Sequence, residues 1–493
     1  MSTTRLHFGK AQLGHSSSLA ATSRYLAHIT PAELGKTMQA RTWSLVAMLR
    51  PGGSGRRRAL TPLTRHLCLF FLLNSVVLNV LLAVLPWTPE RKTALNYSAR
   101  FLIGRARTDS WGQLGVALDQ FRSSPDRPLY SEVFLHRHIR FPYAPPSLLL
   151  TAALRAVRLW TPGFLNLVSW VAVWATIGVT ILLFWRSMAE HVGRDAQPGG
   201  VTATVVGALT LTFYPIVKGF TLGQIQTWIN LLLALGLLSW MAGRPARAGA
   251  LVALPCLVKP QYGILLLWGL SRRRWAFSAA FAGTVGGALA LSVGMLGFAD
   301  HRDYLWMLAY VSRHGESFFA NQSVNGLLQR LLHNGPNLDW SEDTYPPFNP
   351  WVYGGTLMSS AGLILCALFW RRNEHRGASS VDLMLGMLTC VMASPVAWDH
   401  HYGILLPFYG VMLPALLRRP VFGKMTLPLI GMCYVMTSTY FGIAQHTASS
   451  AWNVLQSYVF LGGVLVLVLL YRLRSAQAAA GAAGGSPSPP CGC

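Results

Sequence analysis

Two short polar segments in an otherwise apolar chain carry residue types that acid–base chemistry needs. The first runs from Arg107 to Gln113 and places Asp109 just before an amphipathic stretch. Asp109 is positioned either to cap a helix or to act as a general base that takes a proton from a hydroxyl group. Asp119 is the reserve candidate for that base.

The second segment is Trp398-Asp399-His400-His401, which interrupts two apolar runs. Adjacent side chains on a regular helix point about 100° apart, so we expect one histidine to be structural. Asp399 and the two histidines lack the i, i+4 spacing typical of metal ligands. We therefore assign no metal site and expect no cofactor, while leaving a divalent ion open.

Lys259 has the highest expected free-energy cost of burial, because its charge lies between two apolar segments. It is followed by Pro260. An ionisable residue inside a membrane run is a candidate for function, and an ammonium there favours an anionic partner. The alternative is a lysine that extends from a helix end towards water. Upstream, Gln226 and Asn230 share one helical face, where amides either join helices or line a polar pocket.

A third polar segment is rich in amides and ends in an arginine. It contains Asn321-Gln322-Ser323 and continues to Arg330. A capped amphipathic helix accounts for much of this pattern. Amides beside an arginine also suit the recognition of hydroxyl and phosphate groups.

The composition decides what kind of protein carries these residues. The chain has 493 residues, 52% hydrophobic and 12% charged, with 41 Lys+Arg against 17 Asp+Glu and a formal charge of +24. Soluble chains contain about 25% charged residues. A nucleic-acid binder of this charge would need a polar surface, so nucleic acid is not an expected partner. The composition predicts an all-α polytopic membrane protein.

About twelve apolar runs are long enough to be considered membrane spans. The first, Leu67 to Trp87, has no charged residue and is interpreted as an uncleaved signal anchor. The others lie near residues 144–160, 164–185, 201–217, 225–241, 247–270, 275–298, 353–370, 381–397, 403–417, 425–443 and 452–471. Lys259-Pro260 and the prolines at the start of 144–160 make half-helices or re-entrant segments possible at those two runs.

Basic connectors define the expected topology. Residues 1–65 contain ten Lys/Arg and one acid, and further basic connectors follow the later runs at alternate loops, which predicts that both termini are cytoplasmic. Residues 1–65 and 475–493 are expected to be disordered, and Met48 is an alternative start of translation. The domain 66–474 then contains two non-cytoplasmic loops, 88–142 and 299–351. Five of the 17 acidic residues lie in the first loop and six in the second.

The order of these elements resembles glycosyltransferase family 87, which has the GT-C fold. The resemblance rests on Asp109 after the first span, the segment from Phe141 to Pro146, Gly223-Gln224, Lys259-Pro260, Asn321-Gln322-Ser323, and Ser394-Pro395-Val396-Ala397-Trp398-Asp399-His400-His401. It covers roughly residues 66–415, and its most specific parts are the last two elements. The Ser110-Trp111-Gly112-Gln113 sequence after Asp109 departs from the family pattern.

The resemblance implies an inverting membrane enzyme that moves a hexose, typically mannose, from a polyprenyl-phosphate donor to a hydroxyl of a lipid or glycan acceptor on the non-cytoplasmic side of the plasma membrane. Asp109 would be the base. The implied substrate-binding residues are Lys259 at the phosphate, His400 or His401 near the phosphate or acceptor, Gln224, Asn321 and Gln322 around the sugar, and Tyr143 and Arg330. The competing interpretation is a transporter or flippase, which would also use a broken helix and polar residues inside its spans.

Overall fold

The computed structural model describes residues 61–85, 92–193, 199–370 and 379–483. The described residues from Leu67 onward belong to one compact unit. The predicted disorder of residues 1–65 concerns mainly residues outside the described ranges. The same holds for residues 484–493 of the predicted tail. The described residues confirm the all-α prediction: they form helices and one isolated antiparallel bridge, between Asn321 and Trp398, without a regular strand.

Eighteen α-helices lie within the described ranges. In chain order they are α1 (Pro62–Phe70), α2 (Asn79–Val84), α3 (Ala94–Leu102), α4 (Asp109–Ser123), α5 (Ser147–Ala156), α6 (Pro162–His191), α7 (Gly200–Leu211), α8 (Tyr214–Leu222), α9 (Gln226–Met241), α10 (Pro245–Ala253), α11 (Ile264–Ser271), α12 (Trp275–His314), α13 (Val324–Leu331), α14 (Pro350–Phe369), α15 (Ser380–Met392), α16 (Leu405–Arg418), α17 (Thr426–Ser438) and α18 (Tyr458–Ala483).

The chain is a multi-pass membrane protein by the length and apolarity of its helices. Five described segments can cross a bilayer, namely Pro62–Val84, Pro162–His191, Trp275–His314, Pro350–Phe369 and Ala451–Ala479. The pair α7 and α8, bent by 53°, makes a sixth if it is one span. Shorter apolar helices are Ser147–Ala156, Gln226–Met241, Pro245–Leu257 and Ser380–Met392. The count of about twelve spans stays a prediction.

The predicted span over 144–160 does not form a helix of membrane length. Its helix, α5, has 10 residues, which at 1.5 Å per residue extend about 15 Å, half of a hydrocarbon core. The chain leaves the helix at Val157, and Arg158 follows with a φ of 57°. This length agrees with the half-helix alternative left open at this run and not with a full span.

Two boundaries of the predicted second loop and tail also differ. The helix α12 bends at Gly297, which has a φ of 79°, and continues to His314, so the loop expected from residue 299 begins as a helix. The last helix, α18, extends to Ala483, beyond the predicted boundary at 474. The alanine-rich sequence there has a high intrinsic helix propensity, which favours the continuation.

The interruption predicted at Lys259-Pro260 is confirmed. Helix α10 passes into the 3-10 turn Leu254–Leu257, a second turn covers Pro260–Gly263, and α11 follows. Lys259 itself has an extended backbone, with a φ of −130°. The residue before a proline avoids the helical region, because the proline ring would clash with it, and this breaks the run at the lysine.

Candidate active site

The connections that carry most of the predicted site residues meet at one end of the helix bundle. Helix α9 begins at Gln226, whose side chain contacts Lys259, and ends at Met241, whose carbonyl accepts a hydrogen bond from Arg186. Its 16 residues separate those ends by about 24 Å. We call the Gln226 end the site end. The opposite, basic end holds the ion pair of Arg272 with Asp382.

Asp109, Tyr143 and Gln224 are brought together at the site end, although they are far apart in the sequence. Asp109 is the first residue of α4, and its Oδ2 accepts a hydrogen bond from Gln224 Nε2 at 3.4 Å. The hydroxyl of the neighbouring Ser110 lies 2.6 Å from Tyr143 Oη and donates to Gln224 Oε1 at 3.0 Å. The Ser110 hydroxyl also accepts from the backbone N–H of Ile225. These bonds hold the start of α4 against the α8–α9 connection.

Gly223 makes the close approach of these two segments possible. It ends α8 with a φ of 73°, a conformation that residues with a side chain rarely adopt. A Cβ at this position would lie 2.0 Å from the carbonyl oxygen of Arg107. The backbone N–H of Arg107 donates to Thr221 O, and that of Ser110 donates to Gly223 O. The glycine thus fixes the distance between Asp109 and Gln224.

Asp109 has a half-buried carboxylate without an ion-pair partner among the described residues. Burial raises its pKa, opposed by the Gln224 hydrogen bond and by the positive charges of Arg107 and Lys218, while the negative charge of Glu342 adds to the rise. Other acids of the two loops have structural partners: Asp119 pairs with Arg155, Glu316 with Arg140, and Asp300 and Asp303 accept from the backbone of residues 129–131. Asp109 is thus a half-buried acid without such a partner, and its role as the base stays a prediction.

Lys259 and His401 are also brought together. The ammonium of Lys259 lies 2.6 Å from His401 Nε2 and donates to Gln226 Oε1 at 2.8 Å. Gln226 Nε2 in turn donates to Asn230 Oδ1 at 2.9 Å. This chain joins the broken helix, α9 and the 3-10 helix Asp399–Ile404, so Lys259 points into the bundle and not towards water.

Lys218, which sequence reasoning missed, forms the other cationic centre of the site. It lies on α8 and pairs with Asp399 Oδ2 at 2.6 Å, and Tyr214 Oη donates to the same oxygen at 3.1 Å. His400 Nδ1 lies 3.6 Å from Asp399 Oδ1. The signal in the sequence was a lysine inside an apolar stretch, the same signal that identified Lys259.

His400 is buried with an unused hydrogen-bonding group. Within the described residues its Nε2 has no partner, although its exposed fraction is 4%. An unpaired buried polar atom is costly unless a water or a ligand satisfies it. Lys218 and Lys259 both act electrostatically on His400, and Lys218 acts on Asp109 as well. The segment Asp399–His401 thus lies between the two lysines, because Lys218 pairs with Asp399 and Lys259 contacts His401.

Asn321, Gln322 and Arg330 lie behind this group, where backbone atoms occupy much of their hydrogen-bonding capacity. Asn321 Nδ2 donates to Glu316 O, and its Oδ1 accepts from the N–H of Ala397. Gln322 contacts the carbonyl oxygens of residues 319 and 456 and the N–H of residue 460. Arg330 donates to residues 318, 321 and 457. These contacts position the Asp399–His401 segment. Binding of substrate by these three residues stays a prediction.

Arg140, in the first loop (residues 88–142), contacts several residues of the second loop (residues 299–351). Its guanidinium pairs with Glu316 at 2.5 Å, donates to the carbonyl oxygens of residues 341, 342 and 344, and lies 4.0 Å from the ring centroid of Tyr345. This attachment brings Glu342 within electrostatic range of Asp109. Over the described part of the chain, no group of three or more His, Cys, Asp or Glu side chains is arranged to hold a metal ion.

The sequence of this chain is similar to those of known proteins. The sequence model of glycosyltransferase family 87 matches residues 141–395, a range that contains Lys218 and Lys259 and begins after Asp109. Two relatives share the name polyprenol-phosphate-mannose-dependent alpha-(1-2)-phosphatidylinositol mannoside mannosyltransferase. The protein from Mycobacterium tuberculosis is 26% identical over 374 residues, which cover 70% of this chain and 81% of the relative. The protein from Mycolicibacterium smegmatis is 25% identical over 320 residues, which cover 59% and 67%.

Proposed function

Because the chain belongs to glycosyltransferase family 87, whose sequence model matches more than half of its length, we propose that it transfers mannose from a polyprenyl-phosphate donor to a hydroxyl of a lipid or glycan acceptor. Family membership makes the protein a glycosyltransferase and decides against the transporter interpretation. The names of both relatives support the donor and the sugar. For the acceptor, the proposal specifies the reacting group, a hydroxyl, and not the identity of the molecule.

The observation that carries the proposal is a half-buried carboxylate at the same end of the bundle as two lysine side chains. Asp109 lacks an ion-pair partner among the described residues, while Lys218 acts on it electrostatically and pairs with Asp399. Sugar transfer from a phosphate needs these two features, since a proton must leave the acceptor and negative charge must be stabilised on the leaving group.

In the proposed reaction, the acceptor oxygen forms a bond to the anomeric carbon as the bond from that carbon to the phosphate oxygen breaks. Asp109 takes the acceptor's proton, and the polyprenyl phosphate leaves with the electron pair of the broken bond. A single displacement inverts the anomeric carbon and needs no second carboxylate. Lys218 and the unused His400 Nε2 are proposed to contact the phosphate, and Lys259 adds positive charge behind them.

We propose that the site end faces the non-cytoplasmic side. The opposite end carries basic connectors, including Arg244, residues 271–274 and residues 418–419, and such connectors favour the cytoplasm. The buried pairs of Asp382 with Arg272 and Arg474 hold that end together. Cysteines introduced at exposed positions of each end, labelled with a membrane-impermeant maleimide on intact cells, test the orientation.

The direct test is sugar transfer by membranes that contain the protein. We expect radiolabel from polyprenyl-phosphate-mannose to enter a lipid or glycan fraction, and we expect no transfer from a nucleotide-linked mannose, because the proposed site recognises a lipid phosphate. Membranes without the protein are the control, and a chelator arm tests the proposal that no metal cofactor is needed. Uptake of the donor without formation of a new glycosidic bond would contradict the proposal.

The acid limb of the pH profile should report the raised pKa of Asp109. Burial raises this pKa, so the carboxylate becomes protonated, and inactive as a base, at a higher pH than an ordinary aspartate would. Transfer should therefore fall as the pH decreases through that raised value. Glu342→Gln removes a negative charge that adds to the rise, so it should shift the limb to lower pH at low ionic strength. A shift in the opposite direction would contradict this origin of the acid limb.

A further inference from the structure

A cavity of about 260 Å³ lies along one face of α4, the helix that begins with the proposed base Asp109. Its lining includes Thr108, Trp111, Gly112, Asp119, Arg155 and Trp160. Together with Gly115 and Val116, the lining residues Trp111, Gly112 and Asp119 of α4 recur at spacings of three and four, so they share one helical face. Thr108 directly precedes Asp109 in the chain, so the cavity begins next to the proposed base.

We propose that this cavity binds a hexopyranose ring of the acceptor. The inference rests on the proposed function and deepens it, since it assigns a site to the second substrate. The cavity is slightly smaller than the usual size range for small-molecule sites, which suits one sugar ring better than an extended glycan.

The walls of the cavity have the two kinds of surface that a sugar ring needs. Trp160 provides aromatic surface, and the buried Trp111 packs against it with ring centroids 6.1 Å apart and ring planes nearly perpendicular. Arg155 forms a two-point ion pair with Asp119, one contact being Nη2 to Oδ2 at 3.0 Å. Aromatic rings pack against apolar C–H faces, and a charged pair supplies donors and acceptors for hydroxyl groups.

An unused polar atom gives an independent indication of a ligand. Trp111 is 3% exposed, and among the described residues its indole Nε1 has no hydrogen-bond partner. Buried indole N–H groups usually find a partner. Because Trp111 lines the cavity, we assign a sugar hydroxyl as the acceptor of this bond. A lipid chain fits less well than a sugar, because it would remove water from Asp119 without replacing the hydrogen bonds of that water. A phosphate also fits less well, because the negative charge of Asp119 repels an anion.

Gly112 keeps the cavity open and provides the test. A Cβ at this position would have no heavy atom within 4 Å, so the missing side chain leaves free space. In Gly112→Leu that space is filled, and the KM for an acceptor should rise about tenfold or more, with the KM for the donor changed less than about twofold. Gly112→Ala is the matched control. This substitution also replaces the helical glycine, but it adds only one methyl group, for which there is space.

The assay uses the full chain in membranes, with octyl α-D-mannopyranoside as the acceptor probe and polyprenyl-phosphate-mannose as the donor. Asp119→Asn supplies a second variant with little change in shape, and its acceptor KM should rise several-fold because the charged pair is lost. An equal rise in both KM values, or a lower kcat with both KM values unchanged, would overturn the acceptor assignment. So would a wild-type KM in both Gly112→Leu and Asp119→Asn. Failure of the wild type to transfer mannose at all would instead overturn the proposed function.

Discussion

Replacing Asp109 by asparagine is expected to lower the rate of mannose transfer about 10³-fold while leaving the amount of protein in the membrane unchanged. The amide has nearly the same shape as the carboxylate and can still accept the hydrogen bond that Gln224 donates. It cannot take a proton from the acceptor hydroxyl. Because Asp109 has no ion-pair partner among the described residues, the substitution breaks no salt bridge that the fold requires.

The measurement is the initial rate of label transfer from polyprenyl-phosphate-mannose, normalised to the amount of protein detected in the membrane. Asp126→Asn is the matched control, since Asp126 is an exposed acid of the same loop and lies outside the proposed site. That control should transfer at the wild-type rate. Equal rates for Asp109→Asn and Asp126→Asn would remove Asp109 from the mechanism and require another base.

The individual elements of the site were more predictable than their pairing. Lys259 is predicted from the cost of a charge between apolar segments, which is a local property. Asp109 is predicted from its polar loop segment, and the roles of the two histidines are implied by the family resemblance. The contact of Lys259 with His401 joins residues separated by 142 positions, and that of Ser110 with Gln224 joins residues 114 apart. Such contacts depend on how the helices pack, and hydropathy carries no information about packing partners.

Lys218 shows why one important residue escaped prediction. The apolar run predicted over 201–217 ends one residue before this lysine, so the hydropathy pattern assigns no cost to its charge. The structure continues the helix to Leu222 and buries the ammonium against Asp399. Asn321, which the resemblance implies at the sugar, joins two backbone segments through its side chain, and its binding of substrate stays a prediction. Residue type indicates what a side chain can bind, but burial and neighbours decide what it contacts.

Lys218 leads to the second large effect. Lys218→Met is expected to lower transfer about 10²- to 10³-fold, because the departing phosphate would lose a fixed positive charge. The single substitution also leaves the buried Asp399 without its ion-pair partner, which can cost about 3–5 kcal/mol of stability. A loss of activity in this variant alone would therefore not separate catalysis from folding.

The double variant Lys218→Met/Asp399→Asn makes that separation. It removes both charges of the pair, while the asparagine can still accept the hydrogen bond that Tyr214 donates to Asp399. The thermal unfolding temperature, measured on the detergent-purified protein, should fall in the single variant and recover in the double variant, whereas transfer should stay low in both. Lys424→Met, an exposed lysine of the basic end, controls for the loss of one positive charge and should retain wild-type transfer. Recovery of transfer together with stability in the double variant would mean that Lys218 only neutralises Asp399, and the phosphate would then have to be held by Lys259 and the histidines.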